Sequence, residues 1–140
     1  MPPYQHFLVA TDLSKENSLV FEKAVAMAEL CGAQLSMLHV VEPLPGYGYA
    51  YIGIADLEAE LYREAEKSMQ KLAEKYAIPK THCYLKIGST KIELNAVIRS
   101  AAIDCVILGS HGRHGITELL GSTAHAAVHT AICDVLTVRI

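Results

Sequence analysis

Asp104-Cys105-Val106-Ile107-Leu108-Gly109 is the stretch that decides the fold, because four consecutive apolar residues lie between an aspartate and a glycine. A strand with one face in water alternates apolar and polar residues, whereas a continuous apolar run of this length is typical of a strand buried on both faces. Such strands belong to parallel sheets that helices cover on each side. The stretch therefore predicts an α/β protein with a buried parallel sheet.

Similar short apolar runs recur along the chain and alternate with segments of helical periodicity. The runs predict strands at residues 6–11, 34–41, 82–87, 104–108 and 135–140. The periodic segments predict helices at residues 16–31, 56–77 and 92–101, and a last helix that precedes the fifth strand. Since connections between parallel strands are right-handed, this alternation predicts a doubly wound, Rossmann-like sheet within one domain spanning residues 1–140.

The helix predicted at residues 56–77 carries one apolar stripe along its length. We expect this stripe to form the packed face of the helix. Gly32 stands where a C-cap of the preceding helix would be, and Ile78-Pro79 stops the longer helix. The stripe comprises Leu57, Leu61, Ala65, Met69, Leu72 and Tyr76.

Composition excludes several classes of protein. The formal net charge of −3 and the pI near 6.1 argue against a non-specific nucleic-acid binder, which would be basic. No apolar run approaches the roughly 20 residues of a membrane-spanning helix, and the first six residues do not resemble a secretory signal. The four widely spaced cysteines predict reduced, mostly buried thiols in a cytoplasmic protein rather than a zinc site.

Ligands of open α/β sheets bind beyond the carboxyl ends of the strands, where the strand order reverses. The segment after the fourth strand, residues 109–123, reads GSHGRHGITELLGST. Its glycines let backbone N–H groups approach a ligand, and a helix that begins near Ser122 would present free N–H groups to a phosphate. Plain turn glycines are the alternative interpretation. The segment is neither a Walker A loop nor the dinucleotide fingerprint, which follows the first strand.

The chain resembles the universal stress protein family over essentially its whole length. The resemblance rests on TDLS at residues 11–14, LSMLHV at 35–40, VILGSHG at 106–112, LLGSTA at 119–124 and CDVLTVR at 133–139. It implies an open five-stranded sheet of order 3-2-1-4-5 with helices on both faces. It also implies a cytoplasmic role in stress survival and a homodimer formed through the fifth strand, from Val135 to Ile140.

Members of this family with the pattern G-x2-G-x9-G-[ST] tend to bind ATP, and other members do not. Here Gly109 and Gly112 have the expected spacing, but eight residues instead of nine separate Gly112 from Gly121. The resemblance implies binding of ATP or AMP, with Mg²⁺ possible beside ATP. The implied nucleotide-binding residues are Thr11, Asp12, Val40, Leu108, Gly109, Gly112, Arg113, Gly121, Ser122 and Thr123.

The resemblance also implies a role for most of these residues. Asp12 would meet the ribose or a metal near the phosphates, and the backbone of Val40 would hydrogen-bond adenine. Leu108 and Gly109 would line the ribose side. The phosphates would be held by Gly112, Arg113, Gly121, Ser122 and Thr123. Arg113 suits phosphate because its planar fork matches the oxygen geometry, although a solvated loop charge is an equal interpretation.

Histidines and tyrosines supply further candidates. His125 and His129 are four residues apart on the last helix, so they share one face, which either binds a metal or is exposed or turned toward a dimer partner. His111 and His114 could neutralise phosphate or transfer protons. The loop with Tyr47, Tyr49 and Tyr51 is a lid over adenine, a partner-binding surface, or a loop with one tyrosine packed down.

Three functions compete. The first is a nucleotide-binding regulatory protein with at most weak ATP hydrolysis. The second is a dimeric stress protein that binds no nucleotide and acts through protein contacts, which the shortened glycine spacing and the tyrosine loop favour. A true ATPase is the third, and the absence of a recognisable general base with an activated nucleophile argues against it.

Overall fold

A parallel sheet forms the centre of the protein. The computed structural model describes residues 2–43, 54–110 and 122–140. Within these residues the sheet has five strands in the order β3-β2-β1-β4-β5, and every neighbouring pair is parallel. The strands are β1 (His6–Ala10), β2 (Gln34–Val41), β3 (Cys83–Ile87), β4 (Cys105–Gly109) and β5 (Asp134–Val138). Both the fold class and the implied strand order are confirmed.

Four helices connect the strands in the described residues. They are α1 (Ser18–Cys31), α2 (Ile54–Tyr76), α3 (Thr90–Ser100) and α4 (Ser122–Thr130), and short 3₁₀ turns lie at Lys15–Asn17 and Lys80–His82. Gly32 caps α1 with φ +64°, as its position in the sequence predicted. No helix in the described ranges is long and apolar enough to cross a membrane.

Alternate residues of the strands pack on opposite faces of the sheet. On β1, Phe7 and Val9 join a core with Phe21 of α1 and Met69 of α2. The intervening residues Leu8 and Ala10 join a second core, which α3 and α4 complete through the buried Leu94, Val97, Ile98, Ala124 and Ala127. Helices therefore cover both faces, which is why the central strands β1 and β4 are buried and almost wholly apolar.

Only the second half of the α2 stripe is buried, so the predicted packed face is too long. Ala65 and Met69 are 6% and 4% exposed, whereas Leu57 and Leu61 are 44% and 43% exposed. The physical reason is length: a helix of 23 residues extends about 35 Å, while a strand of 5 residues extends only about 17 Å. The first turns of α2 therefore run beyond the strands on which its second half packs.

Hydrogen bonds close the amino-terminal edge of the sheet. The buried imidazole of His6 donates from Nδ1 to the carbonyl of Ala101 (2.9 Å) and accepts at Nε2 from the hydroxyl of Ser36 (2.7 Å). The carboxylate of Asp104 accepts the backbone N–H groups of Gln5 (2.8 Å) and His6 (3.1 Å). These bonds tie the start of β1 to β2, to β4 and to the end of α3.

Candidate functional site

The strand β1 ends earlier than both of its neighbours, which leaves a notch at the carboxyl edge of the sheet. Ala10, the last residue of β1, pairs with Leu38, and β2 continues beyond that position to Val41. On the other side Val9 pairs with Ile107, and β4 continues to Gly109. The chain order reverses between β1 and β4, so the notch occupies the position where doubly wound sheets bind ligands.

The backbone of Val40 points into this notch. In a parallel sheet, alternate residues direct both polar groups toward the same neighbouring strand. The carbonyl of Leu38 accepts the N–H of Thr11 (3.0 Å), and the carbonyl of Val41 accepts the N–H of Gly88 on the β3 side (3.0 Å). The backbone N–H and C=O of Val40 therefore point toward β1, at a level where β1 has already ended. A ligand in the notch could form hydrogen bonds with both groups.

The imidazole of His39 explains why the ladder stops at this level. Its Nδ1 donates to the carbonyl of Thr11 (2.8 Å), an acceptor that a longer β1–β2 ladder would use. Thr11 is 1% exposed, and its Oγ1 accepts the N–H of Leu13 (2.9 Å). Thr11 is therefore a buried residue that holds the turn at the end of β1, and it contributes to the site by positioning the chain.

Asp12 is held rigidly in the turn that follows β1. Its Oδ1 accepts the N–H of Ser14 (2.9 Å) and the side-chain amide of Asn17 (3.0 Å). Leu13 has φ +65°, the left-handed conformation that lets the chain turn sharply away from the sheet. The half-buried Asp12 therefore keeps one oxygen bonded within the turn, while Oδ2 has no hydrogen-bond partner among the described residues.

Glu42 and Thr90 form a further polar pair at this edge, which the sequence reasoning did not identify. The buried hydroxyl of Thr90 donates to Oε1 of Glu42 (2.6 Å) and joins the end of β2 to the start of α3. The available signal was positional, because Glu42 directly follows the second strand and Thr90 follows Gly88-Ser89. Glu42 adds a carboxylate near the notch.

Gly109 lies where a larger side chain would crowd its neighbours. A Cβ there would lie 2.8 Å from Cδ1 of Ile140 and 3.3 Å from Cγ2 of Val20. Ser110, the next residue, donates its N–H to the carbonyl of Val138 (2.9 Å). Its buried Oγ has no hydrogen-bond partner within the described ranges, which leaves a donor and acceptor group available at the end of β4.

The last helix, α4, is described from Ser122 to Thr130, and the residues before Ser122 lie outside the described residues, so the predicted start near Ser122 stays a prediction. Ala124 and Ala127 are buried in the core, so the first turn of α4 is anchored against the sheet. Leu108 is 1% exposed and packs in the same core. The side chains of Ser122 and Thr123 are not described. The predicted residues Gly112, Arg113, Gly121, His111, His114, Tyr47, Tyr49 and Tyr51 lie outside the described residues.

A groove of 540 Å³ lies elsewhere, between α2 and β3. Its apolar floor includes Met69, Ile78 and Leu85, and Glu66 and Lys80 lie among its polar residues. It shares no residue with the predicted nucleotide site. We define the notch by its described backbone and polar groups.

The chain is similar to a known protein family over nearly its whole length. The model of the universal stress protein family matches residues 3–139. The chain belongs to this family. It is 43% identical over 145 residues to universal stress protein A homolog 2 of Coxiella burnetii, covering 100% of this chain and 98% of the relative. It is 36% identical to homolog 1 of the same organism, covering 96% of each chain.

Solved universal stress proteins share this fold. UspA from Lactobacillus plantarum superimposes with a TM-score of 0.79 at 23% identity, over 97% of this chain and 98% of that one. A universal stress protein in complex with cAMP superimposes with a TM-score of 0.62 at 23% identity, over 97% of each chain.

Proposed function

We propose that this member of the universal stress protein family binds an adenine nucleotide, ATP or AMP, at the notch beyond β1 and acts as a regulatory stress protein in the cytoplasm. The observation that carries the proposal is a set of polar groups around the notch without a partner among the described residues: Oδ2 of Asp12, Oγ of Ser110, and the backbone of Val40, which lies beyond the last β1–β2 pair. Buried polar groups normally have partners, so a ligand is the natural complement. The solved universal stress protein in complex with cAMP supports an adenine nucleotide as the class of ligand.

The base and the ribose would lie across β1. Val40 offers one N–H and one C=O, which match the adjacent acceptor and donor on the edge of adenine. Asp12 would accept from a ribose hydroxyl, because its other oxygen already bonds within the turn and fixes its orientation. Leu108 and Gly109 form the β4 wall, where Ser110 would bond the ribose or the first phosphate.

The phosphates would extend toward the start of α4. With the helix start that the sequence predicts near Ser122, the N–H groups of Ser122 and Thr123 and the positive end of the helix dipole would favour an anion there. Gly112, Arg113 and Gly121 complete this part of the proposal. With ATP, Asp12 is the residue of the notch that would hold Mg²⁺, because carboxylate oxygen is a preferred ligand of this ion. The site serves binding, and any hydrolysis is weak.

A homodimer formed through β5 completes the proposal, with one domain in each chain. The strand β5 lies at the end of the sheet order, so one side of its backbone pairs with no other strand of the described sheet. Val135 and Leu136 are only partly buried. Pairing of this segment, Val135 to Ile140, with a second copy would cover the edge and remove an aggregation risk.

The packing of Gly109 favours the second candidate, a dimer that binds no nucleotide and acts through protein contacts. Contacts with Ile140 and Val20 explain the glycine at 109 without a ligand. The spacing of eight residues between Gly112 and Gly121 points the same way. A Gly121→Val variant separates the two candidates, because loss of stress protection caused only by loss of a bound nucleotide would argue against the second.

Isothermal titration calorimetry with ATP, ADP and AMP, with and without Mg²⁺, tests the proposal. At about 100 μM protein a dissociation constant near that value gives measurable heat. We expect saturable binding of ATP or AMP that weakens at least tenfold in Asp12→Ala and several-fold in Ser110→Ala. The matched control Ser100→Ala removes a hydroxyl that bonds the carbonyl of Val97. Ser100 precedes Ala101, whose carbonyl bonds His6 at the amino-terminal edge, so this variant should bind like the wild type. Absence of heat with all three nucleotides would overturn the proposal.

A further inference from the structure

Two imidazoles lie side by side on the surface of α4. His125 and His129 are both exposed, and their ring centroids are 4.4 Å apart with an interplanar angle of 46°. They are four residues apart, so the helix holds both Cα positions fixed relative to each other. Among the described residues neither ring has a hydrogen-bond or ion-pair partner, so all four ring nitrogens are available to solvent or a ligand.

The spacing of the rings matches two cis ligands of one metal ion. A metal–nitrogen bond is about 2.0 Å, which places an imidazole centroid about 3.2 Å from the metal. Two such rings at 90° have centroids about 4.5 Å apart, and at the tetrahedral angle about 5.2 Å apart. The observed separation corresponds to the first arrangement, which is typical of the tetragonal and octahedral sites of Cu²⁺ and Ni²⁺.

The other described histidines do not offer a comparable pair. His6, His39 and His82 each bond a backbone carbonyl through Nδ1. The rings of His6 and His82 are 5.6 Å apart, but His6 is buried and its second nitrogen bonds Ser36. The α4 pair is therefore the described place where two imidazoles are exposed, adjacent and without other bonds.

We propose that His125 and His129 form a bidentate surface site for a divalent late first-row metal ion, with Cu²⁺ bound most tightly, then Ni²⁺ or Zn²⁺, and water in the remaining positions. The order follows the intrinsic affinity of nitrogen ligands for these ions. The site is separate from the nucleotide notch, because its ligands point to solvent from α4 and neither belongs to the notch. It would function whether or not the protein binds a nucleotide.

Titration calorimetry of the untagged full chain with NiCl₂ tests this proposal. Ni²⁺ is the first probe because Cu²⁺ also oxidises thiols, and the buffer must contain no chelator. We expect one Ni²⁺ per chain, and at least tenfold weaker binding in His125→Asn and in His129→Asn. Both side chains are exposed, so neither substitution should unfold the protein, and circular dichroism checks this.

A matched control moves one imidazole instead of removing it. In the double variant His129→Thr/Thr130→His the composition is unchanged, but the histidines are five residues apart and point in different directions, so binding should weaken as in the single variants. A His111→Gln/His114→Gln variant should bind like the wild type. The proposal is overturned if Ni²⁺ does not bind, if the moved histidine binds equally well, or if the loss occurs in the His111/His114 variant.

Discussion

Polar side chains bond differently at the two ends of the parallel strands, which form the amino-terminal and the carboxyl edge of the sheet. At the amino-terminal edge, both imidazole nitrogens of His6 and both carboxylate oxygens of Asp104 bond groups of the protein. At the carboxyl edge, Asp12 uses one oxygen and Ser110 leaves its hydroxyl without a described partner. The polar groups of the first edge stabilise the fold, and we propose that those of the second bind a ligand. Substitution of the same type of residue should therefore reduce stability at the amino-terminal edge and ligand binding at the carboxyl edge.

The largest effect should follow from His6→Ala. This change leaves the hydroxyl of Ser36 and the carbonyl of Ala101 without their partner in a buried site and removes a packed ring. We expect a loss of about 2–4 kcal/mol in the free energy of unfolding, measured by urea denaturation. Ser110→Ala, at the other edge, should change that free energy by less than about 1 kcal/mol. Equal losses in both variants would contradict the comparison.

Asp104→Ala and Asp12→Ala form the second, smaller contrast. Asp104 accepts two backbone N–H bonds at the start of β1, so its loss should cost about 1–3 kcal/mol of stability and leave nucleotide affinity unchanged. Asp12→Ala should cost about 1 kcal/mol, from the turn bonds, and remove most of the binding. Denaturation and calorimetry on the same samples measure both. If Asp104→Ala weakened binding as strongly as Asp12→Ala, the division between the edges would be wrong.

Lowering the pH should destabilise the protein through His6 at the amino-terminal edge of the sheet. Burial lowers the pKa of His6 below its usual value of 6.5, so the unfolded chain takes up a proton more readily than the folded protein. The stability from neutral His6 is present above about pH 6.5 and declines as the pH falls toward the folded-state pKa. Denaturation at pH 7.5 and pH 5.5 should show a larger decline in the wild type than in His6→Gln. A parallel decline would exclude this role for His6.

The smallest expected effect concerns the reactivity of the thiols near the amino-terminal edge. Burial raises the pKa of Cys105 to about 11, and burial also raises the pKa of Cys133. Little thiolate is then present at pH 8, so iodoacetamide should label Cys105 only when the protein unfolds. Mass spectrometry of peptides from native and urea-treated samples measures this. Rapid native labelling of Cys105 would show that this edge opens.

Sequence alone predicted the elements and the covered sheet well, because short continuous apolar runs such as residues 105–108, alternating with longer helical patterns, are typical of strands buried on both faces. The order of the strands came from the resemblance to the family. The early end of β1 could not be predicted, because it depends on His39 bonding the carbonyl of Thr11 across 28 positions of the chain. Pairs such as His6–Ser36 and Glu42–Thr90 are also far apart in sequence, and no local pattern indicates them.

The predicted α2 stripe shows a different limit. Periodicity identifies the apolar side of a helix, but it does not say how far the neighbouring strands extend. Leu57 and Leu61 follow the same period as Ala65 and Met69, yet only the latter pair is buried. For the candidate site, the resemblance to the family implied Thr11, Asp12 and Val40, and their geometry required the structure.

Backbone amide shifts during a nucleotide titration, measured by ¹H–¹⁵N NMR, test the central claim most directly. The account predicts that ATP or AMP shifts the amides of residues 11–14, Val40, Ser110 and 122–124, and leaves those of His6, Ser36 and Asp104 unchanged. Shifts confined to residues lining the groove between α2 and β3, or no shifts at millimolar nucleotide, would contradict it.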